Sequence, residues 1–146
     1  MTAFPSSTTI VAGSYRAGSA SSLRAADGAT YQVNAASGRS DWYGRITGVP
    51  NSLRSLAFTY TGSSSAACTQ RVMLYNWTYG SWAVLTSRTA GTTAATVTAA
   101  AGGTLSNYVS GSTGNGDVAV RVQCTSPSYY TAFFTSGDLL KITYGT

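Results

Sequence analysis

The sequence predicts an antiparallel β-sandwich of about eight to ten strands. No segment places apolar residues at the three-to-four-residue spacing of an amphipathic helix. Instead, short runs of β-branched and aromatic residues are separated by Gly, Ser, Asn and Asp clusters at intervals of about 8–12 residues. With 146 residues, 43% of them hydrophobic, the chain has the size and apolar content of a single domain, which we expect to span 1–146.

Ten such runs give the predicted strands, in chain order. The Ala/Thr-rich segment from 92 to 103 favours a strand followed by a loop, with a short helix as the alternative. The predicted strands are Thr8–Tyr15, Ala29–Ala35, Trp42–Thr47, Leu53–Tyr60, Thr69–Asn76, Trp82–Ser87, Ala94–Ala99, Gly116–Cys124, Tyr130–Phe134 and Leu139–Tyr144. Clusters such as Gly62–Ser65 are predicted to interrupt them.

Alternation within the strands predicts which residues face the core. Side chains two positions apart lie on the same side of a sheet, so apolar residues in register identify the inward face. Four inward sets result: Leu56, Phe58 and Tyr60; Cys68, Val72 and Leu74; Val118, Val120, Val122 and Cys124; and Leu140, Ile142 and Tyr144.

The two cysteines, Cys68 and Cys124, both fall on inward positions. A disulfide between them would close a long loop and stabilise the fold by about 4 kcal/mol in the chain-entropy model. Two unpaired buried thiols are the alternative, because cysteine is among the residues most often buried. An oxidised pair would indicate an oxidising location, either secreted or on a particle surface. Two cysteines without any histidine do not supply the ligands of a structural zinc site.

Residues for acid–base catalysis are scarce, since the chain has no His, no Glu and only four Asp. Asp27, Asp117 and Asp138 adjoin glycine in turn dipeptides and Asp41 precedes a predicted strand, positions that turn hydrogen bonding explains. Serines without an imidazole form no catalytic triad, and a glycosidase with two Asp residues is the remaining catalytic alternative. We therefore predict a non-enzymatic protein without a cofactor. Asp27 and Asp138 are candidates for a calcium ion, which would need further oxygen ligands.

Charge is sparse: 9% of residues are charged, against about 25% in ordinary soluble domains. The net charge is +5, and eight of the nine basic residues are scattered arginines. Without a basic run or aromatics interleaved with the arginines, nucleic-acid binding is disfavoured, and an acidic protein surface suits these arginines as well as phosphate does. No apolar stretch is long enough to predict a membrane span, and the first nine residues lack the basic and apolar regions of a secretory signal.

The most distinctive segment is VMLYNWTYGSWAVL at 72–85, a predicted hairpin with glycine in its turn. Tyr75 and Trp77 have outward parity, Tyr79 lies at the tip, and Trp82 begins an inward set with Val84. Trp and Tyr offer a flat apolar face and a polar edge, suited to stacking on sugar rings or packing on a protein; an alternative for Trp77 is that it only caps a sheet edge. The candidate binding residues are Trp77, Tyr79, Tyr75, Trp42, Tyr43, Tyr129 and Tyr130.

Three stretches, LYNWTYGSWAVL, YVSGSTGNGDVAVRVQCTS and FFTSGDLLKITY, resemble a β-sandwich module attached to secreted actinobacterial polysaccharide-active proteins. Accessory virion proteins of phages that infect those bacteria are similar. The resemblance covers residues 53–146 and, more loosely, GSYRAGSASSLRAADGATYQV near the N-terminus. It implies a jelly-roll-like fold with a binding or structural role and transfers no ligand residues; Asn76, Gly80 and Trp82 match as architecture only.

Two functions of different kinds are predicted. The first is an accessory protein on the exterior of a phage virion, a capsid decoration protein or small tail component, whose partners are the major capsid or tail protein and copies of itself. Host-surface or other polysaccharide, bound weakly, is an additional candidate partner in this role. The Thr/Ser/Gly-rich, charge-poor composition and the lack of an export signal favour it. The second is a carbohydrate-binding module of a secreted polysaccharide-active enzyme, with Trp77, Tyr79 and Tyr129 or Tyr130 stacking on a glycan. An adhesin or small lectin is a further alternative.

Overall fold

The computed structural model describes residues 1–146 as two antiparallel β-sheets packed face to face. Two 3-10 helices, Ala20–Leu23 and Leu105–Tyr108, are the helical elements, and neither is long and apolar enough to cross a membrane. The strands are β1 Thr2–Ala3, β2 Ser7–Ala12, β3 Ser14–Ala17, β4 Tyr31–Asn34, β5 Arg39–Pro50, β6 Ser55–Ser64, β7 Cys68–Asn76, β8 Ser81–Ala90, β9 Ala95–Ala100, β10 Asn115–Thr125 and β11 Phe134–Gly145. The predicted all-β sandwich is confirmed.

The two sheets interleave along the chain. The five-stranded sheet has the order β2-β5-β10-β7-β8, and the six-stranded sheet has the order β3-β4-β11-β6-β9 with β1 paired to β11. Most consecutive strands therefore belong to opposite sheets, as in a jelly roll. The central strand β10 has a long neighbour on both sides, β5 and β7, so residues on its outer face lie in the middle of a broad surface.

The core lies between the sheets, where 18 buried residues form one cluster. All four predicted inward sets are buried, which confirms the alternation rule for these strands. Trp42 lies at the centre with no exposed surface and meets the rings of Tyr31 and Tyr60 edge to face at 5.0 and 6.2 Å. Burial raises the pKa of Tyr31 and of Tyr60, because both phenols lose solvation of their charged form.

The predicted disulfide between Cys68 and Cys124 is confirmed, with Cα atoms 5.5 Å apart. It joins β7 to β10, which are neighbours in the five-stranded sheet, so it cross-links two strands of one sheet and does not connect the two sheets. Together with Ala90 and Phe133 it forms a second small buried cluster.

Two predicted strands differ from the structure. The segment Thr8–Tyr15 is divided at Gly13, whose φ of 108° suits glycine and lets the chain leave the five-stranded sheet for the six-stranded one. The predicted strand Tyr130–Phe134 is wrong, because residues 126–133 form a loop and β11 starts only at Phe134.

Two further local predictions are corrected. The predicted interruption at Gly62–Ser65 instead lies largely within β6, whose last residues pair with Ser136 and Thr135 of β11. The alternative of a short helix in 92–103 is also wrong, since β9 occupies this segment.

Candidate functional site

The hairpin of β7 and β8 brings distant aromatic residues together on the outer face of the five-stranded sheet. Its loop has four residues, 77–80, and closes on the pair Asn76 and Ser81, with Gly80 at a φ of 67°. The next pair along the ladder is Tyr75 and Trp82. Directly opposed residues of an antiparallel pair project to the same side, so Trp82 lies beside Tyr75 on the outer face.

The prediction that Trp82 and Val84 point into the core is therefore wrong. Trp82 is half-buried on the outer face and Val84 is 52% exposed. The register shifts after Val84, where Leu85 is an extra residue in β8 and packs against the core. This bulge inverts the parity of the strand, so alternation counted within β8 alone does not give the correct face.

Four partly exposed rings meet on this face, and we call them the outer aromatic cluster: Tyr43, Tyr75, Trp77 and Trp82. The centroid distances are 4.9 Å from Tyr75 to Trp77, 5.0 Å from Tyr75 to Trp82, and 5.6 Å from Tyr43 to Trp82. Tyr43 comes from β5, which β10 separates from β7. Because Trp82 comes from β8, the contact between the rings of Tyr43 and Trp82 spans β10 and β7, and the small side chain of Ala119 on β10 lines the same surface.

The outer aromatic cluster lines a depression of about 350 Å³, together with Arg45 and Ala119. A wider depression of about 650 Å³ opens between β2 and the first 3-10 helix, and its walls are mainly serine, glycine and alanine. We take the smaller depression as the candidate site, because flat apolar rings with a few convergent polar groups are the usual lining of a ligand pocket.

Two arginines lie over the tryptophan rings of the cluster. The Arg45 guanidinium is 5.5 Å from the ring centroid of Trp77, and that of Arg121 is 5.3 Å from the ring of Trp82. Both distances fit a cation–π interaction. Arg45 also donates through Nε to Asp117 Oδ2 at 2.6 Å, and its Nη2 forms an ion pair with the same oxygen at 2.5 Å.

Asp41 anchors Arg121 beneath the cluster. Its side chain has no exposed surface, and its two oxygens accept from Arg121 Nε at 2.7 Å and Nη2 at 2.5 Å. Gln123 Nε2 donates to the same carboxylate at 3.0 Å, and Arg39 Nε lies 3.5 Å away. The hydrogen bond to Asp41 raises the pKa of Arg121 above its ordinary value, so this guanidinium stays protonated.

The arrangement offers stacking surfaces and hydrogen-bond donors, and its carboxylates are already engaged. Asp41 and Asp117 both form ion pairs with arginine. Neither is therefore placed as a free proton donor or nucleophile beside the depression, as a glycosidase would require.

The residues predicted from the sequence separate into three groups. Tyr43, Tyr75 and Trp77 belong to the outer aromatic cluster. Trp42 is a correction: because it pairs with Val122 and fills the core, its ring is out of reach of a ligand.

The other predicted rings lie outside the depression. Tyr79 is 76% exposed at the hairpin tip, where its N–H donates to Asn76 Oδ1. Tyr129 and Tyr130 are exposed in the loop at 126–133, which follows the far end of β10. Sequence reasoning missed Trp82, Arg45 and Arg121 as parts of one site.

The two calcium candidates make a hydrogen-bonded tie between loops. Asp138 Oδ1 accepts from the backbone N–H of Asp27 at 3.2 Å and of Gly28 at 3.1 Å, and Asp27 Oδ1 accepts from Ala29 N–H at 3.1 Å. No group of three or more His, Cys, Asp or Glu side chains is placed to hold a metal ion. These carboxylates thus have a role in backbone structure that needs no ion.

Comparison with known proteins identifies the fold. No family model and no curated protein matches the sequence. A solved carbohydrate-binding module of family 4 superposes with a TM-score of 0.57 at 13% identity, over 82% of this chain and 86% of the other. A family 29 carbohydrate-binding module from Piromyces equi gives 0.53 at 5% identity, over 94% and 81%.

A third similar structure contains the CBM22-1 and GH10 modules of Clostridium thermocellum endo-1,4-β-D-xylanase 10B complexed with xylohexaose. Its TM-score is 0.54 at 7% identity, and the match covers 99% of this chain and 26% of the xylanase chain. At such identities the likeness concerns the fold alone. The chain has the jelly-roll β-sandwich found in carbohydrate-binding modules, as the resemblance in its sequence implied.

Proposed function

We propose that this protein binds polysaccharide through the outer aromatic cluster and catalyses no reaction. One observation carries the proposal: four aromatic rings and the guanidinium of Arg45 line a single depression on the outer face of the five-stranded sheet, and a second guanidinium, that of Arg121, lies over the ring of Trp82. Exposed apolar patches rimmed by polar groups mark interaction sites on soluble proteins.

The chemistry of these side chains matches that of a sugar polymer. The flat faces of tryptophan and tyrosine suit the apolar faces of pyranose rings, and the indole and phenol edges suit hydroxyls. Edge-to-face contacts at 4.9 and 5.0 Å and a tilted contact at 5.6 Å already hold the rings in place. A ligand therefore loses little binding energy to the ordering of side chains.

The similar structures and the disulfide support the same proposal. The three comparable structures contain carbohydrate-binding modules, and one of them holds CBM22-1 and GH10 modules complexed with xylohexaose. The Cys68–Cys124 disulfide fits an oxidising, extracellular location. The predicted virion role has no supporting observation in the fold or among the similar structures, so polysaccharide binding is the function we put forward.

Affinity electrophoresis through gels that contain soluble polysaccharides tests the proposal. The panel comprises xylan, glucomannan, mixed-linkage glucan, galacturonan and alginate. At least one polymer should retard the wild-type protein, and Trp82→Ala should migrate as in a gel without polymer. Tyr130→Ala, which removes an exposed ring from the far loop, is the matched control and should be retarded like the wild type. Free migration of the wild type in every gel would refute the proposal.

A further inference from the structure

The outer face of the five-stranded sheet has an excess of positive charge. It carries four of the eight arginines but only two of the four aspartates, Asp41 and Asp117. The arginines are Arg39 and Arg45 on β5, Arg71 on β7 and Arg121 on β10. The face thus keeps two positive charges after all its carboxylates are counted.

Both carboxylates of this face are already committed to arginine. Asp41 has no exposed side-chain surface, accepts hydrogen bonds from Arg121 and Gln123, and forms an ion pair with Arg39 at 3.5 Å. Asp117 accepts a hydrogen bond from Arg45 Nε and forms an ion pair with the same guanidinium. A guanidinium has five N–H donors and no acceptor, so donors remain on this face while its strongest acceptors are occupied.

Arg71 is the clearest unmatched group. It is exposed, forms no ion pair, and lies opposite Gln123 on one side and Ser87 on the other. It shares the outer parity of Tyr75, four residues along β7, which corresponds to about 13 Å in a strand. A polymer that stacks on the outer aromatic cluster and extends along β7 would therefore reach Arg71.

We infer that the ligand of the outer aromatic cluster is an anionic polysaccharide whose sugar rings carry carboxylates, as in a polymer of uronic acids; this rests on the proposed function. A ligand rich in acceptors complements a face rich in donors. Arginine matches a carboxylate with two parallel hydrogen bonds, which are stronger than those to a neutral hydroxyl. A uronate polymer combines the pyranose faces that the rings require with the charges that the arginines require.

Two pairs of saccharides test this inference, each with the same backbone in an acidic and a neutral form. The first is polygalacturonate and its fully methyl-esterified form; the second is an oligosaccharide of β-1,4-linked glucuronate and a neutral β-1,4-glucan oligosaccharide of the same length. Binding is measured by calorimetry at about 20 mM and about 200 mM NaCl, because the attraction of exposed charges weakens with salt. A thymidine oligonucleotide serves as an anion without pyranose rings.

At low salt, the acidic member of at least one pair should bind about tenfold more tightly than its neutral partner, with a smaller difference at high salt. Arg71→Gln should weaken acidic binding about threefold to tenfold and leave neutral binding unchanged. Arg54→Gln, an exposed arginine in the loop before β6, is the control with the same change in net charge and should bind like the wild type.

Four outcomes would each contradict the inference, and each points to a different explanation. If the neutral partners bind as tightly as the acidic ones, the anionic ligand is wrong and polysaccharide binding stands. If Arg54→Gln weakens acidic binding as much as Arg71→Gln does, the charge acts from the whole protein and not from this face. Equal binding of the oligonucleotide would indicate nucleic acid, and failure of all polymers would overturn the proposed function as well.

Discussion

The two outer faces of the sandwich have similar backbones and different side chains. On the six-stranded sheet, threonines of β6 and β9 face each other in pairs. Thr59 bonds to Thr98 at 3.2 Å and Thr61 to Thr96 at 2.7 Å. On the five-stranded sheet, the outer face carries the outer aromatic cluster and its arginines.

The comparison distinguishes side chains that stabilise an exposed sheet from side chains that suit a binding site. Cross-strand threonine pairs contribute about 0.2–1 kcal/mol each and satisfy an exposed sheet without any ligand. The five-stranded face instead holds large rings at the surface and a fully buried carboxylate, Asp41. A sheet forms without exposed aromatic rings or a buried carboxylate. Their presence on this face favours a surface that contacts a ligand or partner.

Removal of the disulfide should have the largest effect, because only the five-stranded sheet is cross-linked. The double variant Cys68→Ser, Cys124→Ser should lose about 4 kcal/mol of the free energy of unfolding in the chain-entropy model. Urea denaturation measures this loss, and reduced wild-type protein should show a similar one. A loss below about 1 kcal/mol would mean that the disulfide adds little to this sheet.

Asp41→Ala should give the next largest loss of stability, about 3 kcal/mol, because it leaves the guanidinium of Arg121 without its anchor. Asp117→Ala removes a partly exposed partner of Arg45 and is the matched comparison, with an expected loss below about 1 kcal/mol. Both values come from urea denaturation. Equal losses would show that burial of Asp41 does not distinguish the two ion pairs.

Tyr75→Ala should weaken glycan binding by about 2 kcal/mol, close to thirtyfold, since Tyr75 touches both tryptophans of the cluster. Thr98→Ala, on the opposite face, should change the affinity by less than about twofold. Calorimetry with a polymer retained in the electrophoresis panel gives both numbers. Comparable losses in the two variants would remove the distinction between the faces.

Alkaline pH should destabilise the core that both faces share. Tyr60 is fully buried and its hydroxyl has no partner, and burial raises its pKa above the unfolded value of 10.0. Its contribution to stability is therefore complete below pH 10 and falls as the pH rises further, by up to about 1.4 kcal/mol per pH unit. Tyr60→Phe should reduce this slope in urea denaturation at high pH. An unchanged slope would assign the alkaline loss to other groups.

The sequence predicts the core better than the site, and particular residues show why. Val118, Val120 and Val122 occupy alternate positions along β10, so the sequence pattern alone places them on the core-facing side of the strand. Trp42 and Tyr43 are adjacent, and the local pattern does not say which ring points inward until the pairing of Trp42 with Val122 is known. Contacts such as the one between Arg121 and Trp82 depend on register and are absent from local periodicity.

The sequence does contain a pattern that predicts the outward direction of Trp82. A hairpin loop of four residues at 77–80 places Trp82 opposite Tyr75, and Tyr75 was correctly expected to face outward. Residue counting across the turn, from Tyr75 to Trp82, therefore places Trp82 on the outer face. The bulge at Leu85 has no comparable signal, because its sequence looks like ordinary strand.

The three tryptophans allow the most direct test of the account, because Trp77 and Trp82 line the depression while Trp42 lies in the core. A heteronuclear NMR titration with fragments of the bound polysaccharide follows all three indole N–H signals at once. The indole N–H signals of Trp77 and Trp82 should shift with ligand concentration. The indole N–H signal of Trp42 and the backbone N–H signals of the threonines of β6 and β9 should keep their chemical shifts. Shifts confined to the six-stranded face or to the loop at 126–133 would contradict the assignment of the site.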